Sequence, residues 1–338
     1  KIGGIHGSLA MAQQAKKEGF QIFLLPAVNA REAGMVEGIS CIGVETLWEA
    51  VEFFRGNGVH EPVCVDYDAL IREYDEEPVL DFEEVYGQEP VKLALEIAVS
   101  GGHNVLMIGA PGTGKTMLAK RIPGIMPPLS REEAVELTRL FSVAGLLGED
   151  KPFVCRRPFR SPHHTVTAAA LAGGGKEPVP GEITLAHNGV LFLDELPEFS
   201  TNTLEILRQP MEEGTIHISR LGKSYTYPAD AIVVGAMNPC KCGYYPDLRK
   251  CRCTQGQIQS YLSRLSEPLL DRIDICVELE REVWHEKKKT GRSTKQMRQD
   301  IEKTRAIQKE RYCAEPIRLN RDLRGRLLEK YCALGKSE

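Results

Sequence analysis

No run of apolar residues in this 338-residue chain approaches the roughly 18 that suggest a membrane-spanning helix. The opening residues, KIGGIHGSLAMAQQ, lack the uninterrupted apolar core of a secretory signal. With neither feature, and with no membrane partner implied, a cytoplasmic protein is expected. The chain starts at Lys1 rather than Met, so a piece of a longer product is expected. Positive charge is not in excess. A formal net charge of −4 argues against a protein that coats nucleic acid through bulk charge, while leaving room for local basic patches. Internal repeats and low-complexity tracts are also missing. Ten cysteines in a chain this long are not a disulfide-dense composition. Six of them (Cys41, Cys64, Cys155, Cys276, Cys313 and Cys332) stand mostly beside apolar residues and read as buried free thiols. What remains, 42% hydrophobic and 27% charged, is the composition of an ordinary globular protein. The length suggests two domains, or one with appendages.

Three regions and a linker follow from the patterning. Residues 1–56 alternate helix and strand. LAMAQQAKKEGF has helical apolar spacing ending at Gly19, and QIFLLP reads as a buried strand stopped by Pro26. NAREAGMVEG opens with Asn29 as a helix cap, SCIGV is a short strand, and TLWEAVEFFR is a further amphipathic helix. Residues 57–82, with GNGVHEP and the acidic REYDEEP, read as a linker. Residues 83–283 have the pattern of a large α/β domain, with buried strands NVLMIG, GVLFLDE, AIVVGAMN and DICVEL between helices such as EPVKLALEIAVS and TMLAKRIP. Residues 284–338, with KQMRQDIEKTRAIQKERY and RDLRGRLLEKYCAL, read as a helical lid. The charged run from His285 to Lys289 reads as a solvated loop.

The strongest chemical signal is GAPGTGKT, Gly109 to Thr116, which follows an apolar strand and opens a helix. Gly112 and Gly114 let the backbone curl so that N–H groups point at phosphate oxygens, reinforced by the positive end of the helix. Gly109, Pro111, Gly112, Thr113, Gly114, Lys115, Thr116 and Met117 are therefore the expected ATP contacts. Lys115 reaches the β/γ phosphates, and the Thr116 hydroxyl takes a Mg2+ position. GVLFLDE closes a buried strand with two acids, placed where open α/β sheets bind ligands. Asp194 would hold Mg2+ and Glu195 would polarise the attacking water. AIVVGAMN ends in Asn238, which either positions that water or simply starts the turn before Pro239. LSRLSEPLLDRIDI carries Arg264 and Arg272. An arginine reaching a neighbouring subunit's γ-phosphate is worth about 10³–10⁵ in rate, against the plainer alternative of a surface salt bridge.

Two further clusters stand out. Cys240, Cys242, Cys251 and Cys253 form two C-x-C pairs on a polar loop, 240–253. Four thiolates suit tetrahedral zinc; free thiols or disulfides are the alternatives. RRPFRSPHHT crowds Arg156, Arg157, Arg160, His163 and His164. It reads either as a packed structural loop or as a nucleic-acid or intersubunit contact.

These stretches together resemble the AAA+ ATPases, and within them the magnesium-chelatase-like family and its competence-associated ComM/YifB branch. The resemblance is carried by RPFRSPHHT (157–165), PGEITLAHNGVLFLDELPEF (180–199), LRQPMEEG (207–214), AMNPCKCGYYPD (236–247) and LLDRIDI (269–275). It implies an α/β fold with a P-loop core, a parallel sheet between helices, and a helical lid. Asp194 and Glu195 take the Walker B positions, Asn238 the sensor, and Arg272 the trans-acting arginine finger. Val85 and Tyr86, in EEVYGQ, fall where such proteins hold adenine. An insert is implied at 173–185, and a hairpin at 215–228 carries Arg220 and Lys223 at its tip as DNA-contact candidates. Residues 1–56 resemble the end of a Lon-protease-like α/β domain. A proteolytic relative has a catalytic lysine where His6 stands, so proteolysis is not expected. The family continues past Glu338 with helices bearing a second sensor arginine, so the lid is expected to be incomplete. The implied function is an ATP-hydrolysing motor, a hexameric homo-oligomer acting as a DNA branch-migration helicase in natural transformation or recombination. The rivals are the motor subunit of a metal-inserting chelatase and a nucleotide-dependent switch or scaffold.

Overall fold

A computed structural model describes residues 1–57, 61–67, 69–71, 80–148, 152–175, 179–220, 223–280 and 291–332, without the side chains of Arg220 and Lys223. The N-terminal region alternates as its sequence suggests: helix Ser8–Lys17, β1 (Ile22–Pro26), helix Ala27–Ala33, β2 (Ser40–Val44) and helix Leu47–Phe54. β1 and β2 pair in parallel with Ile22 opposite Ser40. The first helix stops before Gly19, whose φ of 86° no side chain would tolerate cheaply. Thr46 caps the third helix by accepting the Glu49 N–H at 3.2 Å.

Asn29 is not the cap expected of it. Pro26 holds the N-cap position and the helix starts at Ala27. The Asn29 side chain is instead paired with the main chain of Ile5, accepting from its N–H and donating to its carbonyl at 2.9 Å each. Two bonds that tie separate segments together displace one local cap.

The core of this region joins Leu9, Leu25 and Cys41 to Leu129, Leu137 and Phe153, which belong to the following domain by sequence position. The described part of segment 57–82 packs there too. Val63 N–H donates to Cys41 O at 2.9 Å, and the buried Tyr67 hydroxyl reaches Leu129 O and Ser130 O at 3.1 Å each.

The main sheet is built from β3 (Val105–Gly109), β4 (Phe159–Arg160), β7 (Val190–Leu193), β10 (Ile232–Met237) and β11 (Ile275–Leu279); two short pairs lie outside it, β5 (Gly173–Gly174) with β6 (Val179–Pro180), and β8 (Thr215–Arg220) with β9 (Lys223–Pro228). The order is β11-β3-β10-β7-β4, and all four pairings are parallel. Four of these strands are the apolar runs read from sequence. The fifth, β4, lies inside RRPFRSPHHT and has only two residues, too few for any periodicity to announce it.

Both faces of the sheet are covered, as continuous apolar strands require. Alternation along each strand sends Met107, Val190 and Phe192 into one core with Leu95, Leu118 and Ile122. The opposite set, Leu106, Leu191 and Leu193, packs with Ile183, Leu204 and Leu265. The stretch TMLAKRIP forms two short helices, Lys115–Ala119 and Ile122–Ile125. Pro123 has no N–H to continue the first one. At the C-terminal end, Ser293 and Gln296 make a reciprocal capping box for helix Thr294–Arg311. Met297 and Ile301 of this helix enter the first core, and Gln308 Nε2 donates to Ser100 O at 2.9 Å. The run from His285 to Lys289 lies outside the described residues.

The scattered cysteines differ from expectation. Cys41 and Cys155 are buried, whereas Cys64, Cys276 and Cys313 are exposed and Cys332 is half-buried. Cys276 shows why: β11 is an edge strand whose residues alternate in exposure, so apolar neighbours in sequence do not guarantee burial.

Gly189, which leads into β7, tests the packing. A Cβ there would stand 2.1 Å from Pro158 O, on the chain that forms β4. Gly189→Ala is therefore expected to cost about 1–3 kcal/mol in urea unfolding. A change below about 0.5 kcal/mol would mean that β4 and β7 are not this close.

Candidate nucleotide site

β10 lies between β3 and β7, and parallel pairing makes all three strands end at the same edge. Each apolar strand hands over there to polar residues: Gly109 to the glycine loop, Leu193 to Asp194, Met237 to Asn238. This is the edge at which open α/β sheets bind ligands.

The glycine loop turns through positive φ at Gly112 (80°) and Gly114 (92°), and Lys115 begins the following helix. The Lys115 ammonium is buried and donates to Gly109 O at 2.6 Å, Ala110 O at 3.1 Å and Asn238 Oδ1 at 3.2 Å. Burial pushes its pKa below the usual lysine range, opposed by the nearby Asp194 carboxylate. Thr116 Oγ1 donates to Asp194 Oδ2 at 2.8 Å. A hydroxyl and a carboxylate side by side are a hard-oxygen donor pair of the kind Mg2+ takes. Glu195 follows in the left-handed region (φ 52°), with its N–H on Asp194 Oδ1 at 2.9 Å. That turn points consecutive acids in different directions. Thr113 bonds within the loop, its hydroxyl on Ala110 O at 2.9 Å, and Met117 is exposed.

Of the adenine candidates, Val85 is buried in the core while Tyr86 is exposed. Their segment is tied to the helices after the glycine loop by Arg121, which donates to Asp81 O at 2.7 Å, Met117 O at 3.0 Å and the Glu84 carboxylate at 2.6 Å.

Arg272 is not brought to this edge. Its carbonyl accepts from Asn104 Nδ2 at 3.0 Å, and Asn104 precedes β3, at the opposite end of the strands from the glycine loop. Its guanidinium pairs with Glu212 and with Pro268 O, leaving Nε buried without a partner. Arg264 takes the salt-bridge alternative, 2.9 Å from Glu198.

The basic segment behaves mostly as a packed loop. Arg157 holds Pro127 O at 2.5 Å, Asn188 O at 2.8 Å and Glu133 at 3.2 Å, and Arg160 grips Glu182 through two bonds of 2.6 and 2.7 Å. His164, read from sequence only as part of the basic cluster, makes a contact that sequence reasoning missed. Its Nδ1 lies 3.3 Å from Glu195 Oε2, and its ring is 4.0 Å from that of His163. Because β4 pairs with β7, the chain leaving β4 must run beside the residues leaving β7; recognising β4 would have exposed the contact.

In the β8–β9 hairpin, Arg220 stands opposite Lys223 at the end of the ladder. The cysteines of loop 240–253 converge: the four Sγ atoms of Cys240, Cys242, Cys251 and Cys253 lie within 4.8 Å of one another, a set able to hold a metal ion. Main-chain N–H groups of Tyr244 and Arg252 pull the Cys242 thiol down to about 6. None of the helices among the described residues is long and apolar enough to cross a membrane.

With this geometry in place, the chain can be set beside known proteins. The family described as magnesium chelatase, subunit ChlI, matches residues 81–287. The uncharacterized protein YifB of Salmonella typhimurium is 40% identical over 337 residues, covering 98% of this chain and 64% of that protein. Competence protein ComM of Haemophilus influenzae is 38% identical over 350 residues, covering 100% of this chain and 66% of that one. The magnesium-chelatase 67 kDa subunit of Heliobacterium mobile is 29% identical over 187 residues, or 47% of this chain and 28% of the relative. The chain thus spans just under two thirds of the length of the YifB and ComM proteins it matches.

Lys115 offers a direct check of the site. Its ammonium is desolvated by burial, so Lys115→Met should leave the nucleotide-free Tm unchanged or raised. The wild-type stabilisation by ATP, about 2.7 kcal/mol at a hundredfold excess over Kd, should vanish in the variant. A full ATP-induced shift in Lys115→Met would place the phosphates elsewhere.

Proposed function

Because the chain belongs to the magnesium-chelatase-like AAA+ family, with homologues that include YifB and ComM, we propose that it is the ATP-hydrolysing core of an oligomeric motor that moves along DNA. One observation carries the ATPase reading. The Thr116–Asp194 and Lys115–Asn238 contacts join three strand ends at a single point beside a glycine loop.

In this reading the loop amides and Lys115 hold the triphosphate. Gly109, Pro111, Gly112, Thr113, Gly114 and Met117 line it, and the segment of Val85 and Tyr86 holds the adenine, with Tyr86 as its exposed side chain. Thr116 and Asp194 would hold magnesium, which would supply positive charge against the phosphates. Glu195 orients the water that attacks the γ-phosphorus in line and accepts its proton, while ADP departs as the leaving group. Asn238 stands beside the γ-phosphate. Its amide oxygen meets Lys115, so loss of the terminal phosphate is relayed to β10. Arg272, at the far end of the strands, serves the site of the next subunit, which favours a closed ring, proposed here as a hexamer. Separately, Cys240, Cys242, Cys251 and Cys253 are proposed to hold zinc, and metal analysis should give about one zinc per chain.

DNA as the substrate rests on the likeness to a competence protein. In this reading the chain acts by branch migration during transformation or recombination, with Arg220 and Lys223 as the candidates for phosphate contact. The match to magnesium-chelatase subunits favours a second reading, a motor that drives metal insertion by a partner. Forked DNA should stimulate ATP turnover on the first reading and leave it unchanged on the second.

Glu195→Gln should lower turnover by about 10²–10⁴ while ATP binding persists, and Arg272→Ala should also be inactive. Mixed together, the two variants should regain part of the activity, because some interfaces then join an intact Glu195 to an intact Arg272. No recovery in mixed assemblies would remove the shared site, and undiminished turnover in Glu195→Gln would remove its catalytic role. For DNA, Arg220→Ala with Lys223→Ala should flatten the log affinity against log salt plot by about two phosphate contacts. An unchanged slope takes both residues off the DNA surface.

A further inference from the structure

The loop from Pro239 to Thr254 contains no helix or strand, and its larger side chains, such as Leu248, face solvent. It has almost no apolar material with which to hold a shape. Its fixed points are elsewhere. Cys240 is fully buried and stands two residues after Asn238, whose side chain meets Lys115. Gly243, at φ 83°, is pressed against the phosphate loop. A Cβ there would lie 2.5 Å from Cδ and 2.8 Å from Cγ of Pro111. The same short loop therefore touches both sides of the nucleotide site, by a covalent link to Asn238 and by van der Waals contact with Pro111.

What closes the loop is the cysteine set. The Sγ atoms of Cys240 and Cys242 are 3.3 Å apart, those of Cys242 and Cys251 3.6 Å, and those of Cys240 and Cys251 3.8 Å. Disulfides would need about 2.05 Å. Four sulfurs about 2.3 Å from a central zinc stand about 3.8 Å from one another at the corners of a tetrahedron, so the spacing fits that ion with small adjustments.

We propose that the four-cysteine centre is a positioning element for the ATP site: metal held by Cys240, Cys242, Cys251 and Cys253 fixes Gly243 against Pro111 and anchors Asn238, so metal occupancy sets nucleotide affinity. The proposal rests on the zinc reading above. When the metal leaves, the sulfurs take up protons and no longer share a central ligand, so nothing holds the loop closed and the glycine loop loses the wall behind Pro111. Nucleotide binding then has to reorder both segments, which costs affinity.

The test keeps the two readings apart by measuring zinc content, affinity for a fluorescent ADP analogue, and amide hydrogen exchange on the same samples of the chain. A zinc-selective chelator is added with magnesium in constant excess. The expected result is loss of zinc together with at least about a tenfold rise in Kd for the nucleotide. Exchange should quicken at residues 110–114 and 239–254, and added zinc should restore both. A second variant avoids unfolding the metal centre. Gly243→Ala keeps all four cysteines and should retain its zinc, yet it should also weaken nucleotide binding, because its new methyl group displaces Pro111. If zinc leaves but affinity and exchange at 110–114 stay unchanged, the coupling is wrong while the zinc reading stands. If protein purified without chelator carries no metal, the zinc reading is wrong and the coupling falls with it.

Discussion

An ammonium group buried at the end of an apolar sheet is the constraint on which the rest of this structure turns. Lys115 sits among main-chain carbonyls and one amide oxygen, with a carboxylate nearby. A lone buried cation is costly, so its surroundings must be arranged around charge. The sheet order makes that possible. With β10 between β3 and β7, the glycine loop, Asn238 and the Asp194–Glu195 pair are forced to one edge, while the apolar residues of the same strands are consumed in two cores. Polar chemistry at that edge and burial along the strands are two consequences of one parallel arrangement.

The periphery is tied to this centre more closely than a chain of separate modules would be. The N-terminal helices share a core with residues 129–155, and helix Thr294–Arg311 contributes Met297 and Ile301 to the layer beneath β3. His164 arrives beside Glu195 on the strand pairing of β4, and Gly243 arrives behind Pro111 on the cysteine loop. Strain falls here as well: Glu195 is one of three non-glycine residues at positive φ among the described residues. Such a conformation persists only where neighbours over-determine it, and it turns up where function requires a particular direction.

Much of the fold was legible because local chemistry and long-range packing ask for the same residues. NVLMIG, GVLFLDE and AIVVGAMN could hardly be anything but buried strands, and the glycine loop specifies its own turn; DICVEL is a strand too, but a half-exposed one at the sheet edge. Family membership was legible too, from long motifs rather than from the loop alone. Features defined by partners rather than by pattern were not. β4 is two residues long and exists only through β7, so the sequence concealed both it and the His164 contact. Asn29 has the residue type of a cap but spends both amide atoms on Ile5. Cys276 sits in an apolar run yet faces outward, because edge position is a property of the sheet and not of the strand. The LLDRID motif singles out Arg272, but only the strand topology reveals that it lies at the end remote from its own glycine loop.

The central claim is that Thr116 and Asp194 together form the cation side of a triphosphate site. The most direct measurement is ATP affinity in magnesium-free buffer and in excess magnesium, for the wild-type chain and for Asp194→Asn. The account predicts that magnesium tightens ATP binding in the wild type, and that this tightening is lost in the variant while magnesium-free binding is retained. Equal tightening by magnesium in both proteins would contradict it.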